Sequence, residues 1–162
     1  MLNLAFSVFP EGWAGFHLDA LAREPLWQAG IDFGHGTRHG IGYLLCVHEP
    51  PIGFSWCRTD RYDTGVLHAG MVISDEPGVY IAGSHGLRIE NQILCVPAEH
   101  ESFLRFDILT LAPIDLDSID LRWLDEKGRE RLNRYHKRVY DTLSPYLPEE
   151  VRAWLAQVTR AV

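Results

Sequence analysis

Apolar residues near the start of the chain recur at intervals of three and four. Residues that far apart share one face of a helix, so the pattern predicts a buried helical stripe. Its members are Leu18, Leu21, Ala22, Leu26 and Ala29. Gly30 follows where a helix cap is expected, and Pro25 is expected to kink or interrupt the helix.

The middle of the chain has short apolar runs separated by glycine-rich turns, the pattern of strands joined by tight connections. The predicted strands are residues 71–74, 79–81, 87–96 and 103–111. They predict a mostly antiparallel sheet. Within residues 87–96, alternation places Arg88 and Glu90 on one strand face and Ile89 on the other.

The last part of the chain returns to helical spacing. One apolar stripe comprises Leu124, Leu132, Tyr135, Val139, Tyr140 and Leu143, with Asp125 as its N-cap. A shorter helix has Pro148 at its first position and a buried stripe of Val151, Trp154, Leu155 and Val158. The predicted fold is α+β, one domain over residues 1–162, with a helix and sheet in 1–113 and C-terminal helices in 114–162.

Composition narrows the classes of partner. The formal charge of -7 over 162 residues argues against binding nucleic acid, which needs clustered Lys and Arg. No apolar run is long enough for a membrane span. Cys46, Cys57 and Cys95 form no C-x-x-C pair, so neither a disulfide framework nor a thiolate zinc site is predicted. A soluble cytoplasmic protein is expected.

Candidate chemistry lies in two places. His35, His39 and His48 stand among glycines, which let a backbone approach an ion or ligand closely, although a surface turn with incidental histidines has the same pattern. Glu76 ends an apolar run, and Glu90 shares a strand with Arg88, which could equally be a structural ion pair. One His and two Glu would match the nitrogen and oxygen ligands that Mn²⁺, Co²⁺ or Zn²⁺ take in hydrolases.

Together these segments resemble a known family. They read G-H-G-T-R-H-G-I-G over 34–42, V-H-E over 47–49, G-M-V-I-S-D-E-P-G-V-Y over 70–80, and G-L-R-I-E-N over 86–91. In order and approximate spacing they are similar to the pita-bread metallopeptidases of family M24, and within them to aminopeptidase P, or Xaa-Pro aminopeptidase. The resemblance implies the C-terminal half of the pita-bread fold, with a curved, mostly antiparallel sheet and flanking helices.

The resemblance also implies an activity and its residues. A metal-dependent aminopeptidase of this kind removes an N-terminal residue that precedes proline, using a metal-activated water, and its substrate is a peptide with proline at the second position. The implied metal ligands are His39, Glu76 and Glu90, with Glu90 bridging two ions. His35 and His48 are implied to bind substrate or stabilise the transition state, and Arg88 to orient carboxylates. Mn²⁺ is the commonest metal of the family.

Three departures from the family pattern stand out. The segment that supplies two aspartate ligands does not occur, and Asp60 and Asp63 lie in the wrong place to replace it. We therefore expect weak two-metal occupancy, and either a homodimer or association with a separately encoded N-terminal half. Arg38 stands where glycine is usual, where it is expected to repel a metal or narrow the pocket. Pro50 replaces a glycine after His48 and Glu49.

Three functions remain open at this point. The first is an Xaa-Pro aminopeptidase-type hydrolase whose activity needs an N-terminal half. The second is a catalytically inactive binding or assembly module, which the absent aspartates and Arg38 favour. The third is a mononuclear metal hydrolase with an unrelated mechanism.

Overall fold

Residues 1–54 and 65–162 are described by a computed structural model of the chain. Cys57, Asp60 and Asp63, discussed above, lie outside the described residues. The chain divides into two compact units, residues 3–109 and residues 110–162, and each is described separately. A single domain over residues 1–162 stays a prediction.

The strands of the first unit are β1 (Val8–Pro10), β2 (Arg38–Gly40), β3 (Glu49–Phe54), β4 (Val72–Asp75), β5 (Gly78–Ile81), β6 (His85–Arg88), β7 (Asn91–Pro97) and β8 (Phe103–Ile108). Six of them form a sheet in the order β1-β8-β7-β4-β2-β3, in which every pairing is antiparallel. A separate hairpin pairs β5 with β6. Two helices, α1 (Leu2–Ala5) and α2 (Asp19–Gln28), belong to the same part of the chain. The prediction of a mostly antiparallel sheet is confirmed.

The core of this unit lies on one face of β7 and β8. Alternate side chains of these strands are buried, and the register places Ile93 opposite Ile108 and Cys95 opposite Phe106. Phe9 of β1 extends the layer, with its ring centroid 4.9 Å from that of Phe106. Burying an aliphatic or aromatic side chain of this size stabilises a fold by roughly 1.5–3 kcal/mol, so these positions hold the sheet together.

The predicted single strand over residues 87–96 is wrong, because the chain changes sheets within it. Arg88 ends β6 opposite Gly78, whereas Asn91 begins β7 opposite Asp75. Glu90 lies between the two strands and does not share a strand face with Arg88. The short strands β2 and β3 also went unpredicted, since their glycines and prolines resemble a loop.

Helix α2 contains Leu21, Ala22 and Leu26 of the predicted stripe, with Leu18 and Ala29 at its two caps, and it continues through Pro25. The predicted buried stripe is only partly right, because Leu18 and Ala22 are buried but Leu21 is 39% exposed and Ala29 is exposed. Burial of Ala22 and Arg23 within the helix outweighs the local cost of proline. The helix ends at Gln28, and Gly30 follows with a φ of 72°, as expected of a residue after a helix C-terminus.

The second unit has the two predicted helices, α3 (Glu126–Leu143) and α4 (Glu149–Val158). The Asp125 side chain accepts a hydrogen bond of 2.7 Å from the Gly128 backbone N–H, which confirms it as the N-cap of α3. The predicted buried stripe of α4 is only partly right. Leu155 is buried, but Val151 and Trp154 are 40% and 55% exposed. None of the helices in the described residues is long and apolar enough to cross a membrane.

Candidate active site

Ser74 joins β2, which carries His39, to β4, which ends one residue before Glu76. Its hydroxyl donates to Oε1 of Glu76 at 2.9 Å and accepts from the backbone N–H of His39 at 3.0 Å. The backbone N–H of Glu76 in turn donates to the carbonyl of Thr37 at 2.9 Å. Strand alternation makes this possible, because Ser74 and Glu76 are two residues apart and face the same side. The ends of β2 and β4 are thereby held together.

His39 and Glu76 contact each other directly. Nε2 of His39 lies 3.0 Å from Oε1 of Glu76, and its Nδ1 donates to the Gly40 carbonyl at 3.1 Å. The bond to Glu76 is the main cause that raises the pKa of His39, and the nearby charge of Glu90 adds to it. Burial acts to raise the pKa of Glu76, but the bonds from His39 and Ser74 outweigh it and hold this pKa below its usual value.

The expectation that Arg38 obstructs the site is wrong. Arg38 is next to His39 in β2, so its side chain points to the opposite face of the strand. There it is buried, with its guanidinium 3.2 Å from the carboxylate of Asp75 and 4.7 Å from the centroid of the Phe106 ring. Burial lowers its pKa to about 10, so it remains a cation at neutral pH, directed into the core.

A second group of site residues meets at Tyr80 of the hairpin. Nε of Arg88 donates to the Tyr80 hydroxyl at 3.0 Å, and this hydroxyl lies 2.9 Å from Nε2 of His35. The Arg88 guanidinium also lies 3.4 Å from Oε2 of Glu76. Tyr80 can lie against the backbone here because Gly78 has no side chain. A Cβ at this position would lie only 2.5 Å from the Tyr80 hydroxyl. Arg88 therefore connects His35 and Tyr80 to the pair formed by Glu76 and His39.

The contacts of His35 determine its tautomer. Nδ1 lies 2.8 Å from the Gly36 carbonyl, which only accepts, so Nδ1 carries a proton. When the ring is neutral, Nε2 is then an acceptor, and it receives the hydroxyl proton of Tyr80. Because Arg88 already donates to the phenolic oxygen, these bonds run in one direction, from Arg88 through Tyr80 to His35.

His48 comes just before β3, and its ring packs against that of His39 with centroids 4.2 Å apart. His48 is exposed, as are the neighbouring residues 43–47. The structure therefore connects five of the six predicted residues, in the order His35, Arg88, Glu76, His39 and His48, with Tyr80 joining the first two.

Glu90 is the sixth predicted residue, and it is exposed. The bond to Tyr80 is the main cause that raises the pKa of Arg88, and the charge of Glu90 adds to it, as it does for His39. Within residues 1–54 and 65–162, no three His, Cys, Asp or Glu side chains form a group arranged to hold a metal ion. The assignment of His39, Glu76 and Glu90 as ligands stays a prediction.

The donor pair itself fits a divalent cation. Metal-bound histidines usually donate their second ring N–H to a carbonyl or carboxylate, and His39 does so through Nδ1 to Gly40. Ligating carboxylates are likewise hydrogen-bonded, as Glu76 is by Ser74. One imidazole nitrogen and one carboxylate are therefore held in place by the contacts expected around a metal site.

Sequence reasoning assigned no role to Ser74 or Tyr80. Both lie in the segment that includes Glu76, and Ser74 is two residues from it on the same face. That spacing was available as a signal for Ser74. Tyr80 had no such signal, because its contact with His35 depends on a pairing 45 residues apart in the chain.

Two family models match the chain. Metallopeptidase family M24 matches residues 1–97, and the C-terminal region of peptidase M24 matches residues 102–162. Aminopeptidase P1 of Arabidopsis thaliana is 40% identical over 160 residues, or 95% of this chain. A probable Xaa-Pro aminopeptidase P of Talaromyces marneffei is 40% identical over 168 residues, or 99% of this chain.

Solved structures agree with these matches. The X-prolyl aminopeptidase of Caenorhabditis elegans, a cytosolic enzyme with a di-nuclear active site, superposes on 99% of this chain with a TM-score of 0.88 and 40% identity. The Xaa-Pro dipeptidase of Bacillus anthracis superposes on 71% with a TM-score of 0.55 and 35% identity. The pita-bread prediction is confirmed by these structures.

This chain corresponds to only part of each relative. It spans 24% of the Arabidopsis protein, 25% of the Talaromyces protein, 27% of the Caenorhabditis chain and 29% of the Bacillus chain.

Proposed function

The chain belongs to metallopeptidase family M24, and from this premise we propose that it supplies part of the active site of an Xaa-Pro aminopeptidase. The reaction is removal of an N-terminal residue that precedes proline. The names of the relatives support this substrate class, since those of Talaromyces and Caenorhabditis are Xaa-Pro or X-prolyl aminopeptidases.

The observation that carries the proposal is the pair formed by His39 and Glu76. Nε2 of His39 and Oε1 of Glu76 are 3.0 Å apart. The His39 ring also donates to the Gly40 carbonyl, and the Glu76 carboxylate accepts from the Ser74 hydroxyl. We propose these two residues and Glu90 as ligands of a divalent cation, with Mn²⁺ ahead of Co²⁺ or Zn²⁺. The di-nuclear site of the Caenorhabditis enzyme supports a role for divalent metal. Such a cation supplies Lewis acidity and a water of lowered pKa.

The remaining residues act on the peptide. His48 is exposed beside His39, where its ring can donate a hydrogen bond to a substrate oxygen. Arg88 holds the outer oxygen of Glu76 and, through Tyr80, orients the ring of His35. Because Nδ1 of His35 bonds to Gly36 and its Nε2 accepts from Tyr80, we propose that His35 binds the substrate through contacts of its fixed ring and not through a free N–H group.

Metal binding tests the ligand assignment. We expect titration calorimetry to detect Mn²⁺ binding to the purified chain, and Glu76→Gln to weaken it by at least roughly tenfold, because the amide removes the charge but keeps the shape. Glu99→Gln is the matched control, since Glu99 is exposed in a turn between β7 and β8. Equal affinity in wild type and Glu76→Gln would refute the assignment.

Hydrolysis tests the activity. We expect an Xaa-Pro peptide with added Mn²⁺ to be cleaved by the wild-type chain when it is supplied with the remaining residues of a relative, and not with Glu76→Ala. Cleavage that is unchanged in Glu76→Ala contradicts the proposed site. Binding of the peptide without cleavage in every variant would instead identify an inactive binding module.

The active unit is proposed to be larger than this chain. Its relatives are about four times as long, so we propose that activity requires a second copy in a homodimer or the remaining residues, which a separately encoded half could supply. The cytosolic description of the Caenorhabditis enzyme supports a cytoplasmic location.

A further inference from the structure

Arg23 is a buried cation that the proposed mechanism does not use. It lies in α2, with a side chain that has no solvent exposure, and it is among the largest fully buried side chains of the described residues. A buried guanidinium is costly unless its N–H groups are satisfied, so its partners reveal what it holds in place.

Three of the four hydrogen-bond partners of Arg23 lie in the segment that carries His35, and the fourth lies in α2. Nε of Arg23 donates to Asp19 at 2.6 Å, within the same helix. One terminal nitrogen donates at 2.7 Å to the carboxylate of Asp32 and at 2.7 Å to the carbonyl of Phe33. The other terminal nitrogen donates at 2.7 Å to the carbonyl of His35 itself.

Three further contacts complete this arrangement. The guanidinium carbon of Arg23 lies 3.9 Å above the centroid of the Phe33 ring, and that ring is 4.8 Å from the ring of His35. Asp19 also accepts from the hydroxyl of Thr37 at 2.5 Å. Residues 32–37 are thus tied to α2 at their start, at their end and at the His35 carbonyl between.

We propose that Arg23 is a positioning residue for His35. This inference rests on the proposed function, in which the ring of His35 meets the substrate. The backbone of His35 is held by Arg23, its Nδ1 by Gly36 and its Nε2 by Tyr80. The bonds to Gly36 and Tyr80 fix the ring only if the His35 backbone is already in place. The bond from Arg23 to the His35 carbonyl holds that backbone.

Lysine cannot replace arginine in this role. The planar guanidinium offers five N–H donors in a rigid fork, which here reach four acceptors that lie in different directions. A lysine at the same position keeps the charge and the pairing with Asp19 one helical turn away, but it cannot hold the carbonyls of Phe33 and His35 together. Arg23→Lys therefore removes the hydrogen bonds that position His35 while it keeps the positive charge.

The test is the imidazole NMR spectrum of the metal-free chain, which reports tautomer and ring environment without any need for activity. In the wild type we expect His35 to show the Nδ1–H tautomer. In Arg23→Lys we expect the His35 signals to shift and to lose this tautomer preference. His136 is the internal control, because its Nε2 accepts from the Ile114 backbone N–H at 3.0 Å within residues 110–162. Unchanged His35 signals would overturn the proposal.

A second variant keeps the proposal testable if Arg23→Lys does not fold. Asp32 is half exposed, so Asp32→Asn leaves Arg23 in place while weakening one of its anchors. We expect a smaller displacement of the His35 signals in the same direction, and no displacement would again overturn the proposal. Where hydrolysis is active, Arg23→Lys should lower kcat by roughly 10- to 100-fold while Mn²⁺ affinity at His39 and Glu76 changes little. If the wild-type chain, supplied with the remaining residues of a relative, shows no hydrolysis while the His35 signals still shift in Arg23→Lys, the proposed function is refuted but the role of Arg23 is not.

Discussion

At the scale of single residues, neutral groups set the geometry of the site. Ser74 contacts both the backbone of His39 and the carboxylate of Glu76, and the Gly40 carbonyl orients the His39 ring. A hydroxyl in this position aligns the donors without adding charge next to a cation. The geometry of the pair formed by His39 and Glu76 therefore depends on Ser74, which is neither a proposed metal ligand nor a proposed catalytic residue.

Ser74→Ala tests this dependence. We expect the affinity for Mn²⁺ to fall by roughly tenfold, because Glu76 loses the bond that fixes its Oε1. Titration calorimetry measures the change, with Ser118→Ala as control, since Ser118 bonds to Asp115 in residues 110–162. An affinity equal to that of the wild type would show that Ser74 does not support the ligands.

The sequence predicted the site residues better than their contacts. The motifs placed His35, His39, His48, Glu76 and Arg88 in one site, and the structure connects all five. The direction of Arg38 was missed, although alternation with His39 in β2 determines it. It was missed because three residues among glycines do not indicate a strand until β4 pairs with them.

At the scale of secondary-structure elements, β2 and β4 are joined by charge on their buried face. Arg38 of β2 pairs with Asp75 of β4, and both side chains are fully buried. Removing one partner of a buried pair typically costs about 3–5 kcal/mol, because the other charge remains out of water. This pair lies directly behind His39 and Glu76, so its loss would also disturb the site.

Asp75→Ala should therefore lower the free energy of unfolding by about 3–5 kcal/mol in urea denaturation. The control is Asp141→Ala, which removes the partner of Lys137 on the exposed surface of α3, where a change below about 1 kcal/mol is expected. Replacing both members, as Arg38→Met with Asp75→Leu, should restore much of the loss. Similar small losses for Asp75→Ala and Asp141→Ala would contradict a stabilising buried pair.

Helix α3 contains a pH-sensitive contact. His136 is buried, and its Nε2 accepts from the Ile114 backbone N–H, so the neutral ring is the form that fits. Burial lowers the pKa of His136 below its ordinary value of 6.5. The unfolded chain therefore binds this proton more readily than the folded chain, and stability declines as pH falls below about 6.5.

We expect this decline to disappear in His136→Gln, which cannot be protonated but keeps an oxygen for the Ile114 N–H. Urea denaturation between about pH 7.5 and 5 measures the slope. His100→Gln is the control, because His100 is exposed and its replacement should leave the slope as in the wild type. A slope that persists unchanged in His136→Gln would assign the pH dependence to other groups.

Elements with strong periodicity were predicted well, and those that depend on pairing were not. The α3 helix and its Asp125 cap followed from local spacing. The division between β6 and β7 did not, because no glycine or proline interrupts residues 87–96 in the sequence. Only the partners Gly78 and Asp75, which belong to different sheets, determine where this segment divides.

At the scale of the whole molecule, both units expose large apolar side chains. In the first unit Leu45 is 95% exposed, and in the second Trp123 and Tyr146 are 82% and 84% exposed. Exposed apolar groups favour association when they are clustered. Sedimentation velocity across a concentration series should therefore show a mass that rises above that of the 18.5 kDa chain. A constant monomer mass at every concentration would contradict this expectation.

The hairpin of β5 and β6 has a consequence for how this protein could diverge. It pairs as a sheet of its own, while the main sheet resumes at Asn91 opposite Asp75. Residues can therefore be inserted at its tip, around Gly83, in pairs that keep the strand alternation, without moving Glu76. Evolution can thus change the length of this hairpin while leaving the end of β4, which precedes Glu76, unchanged.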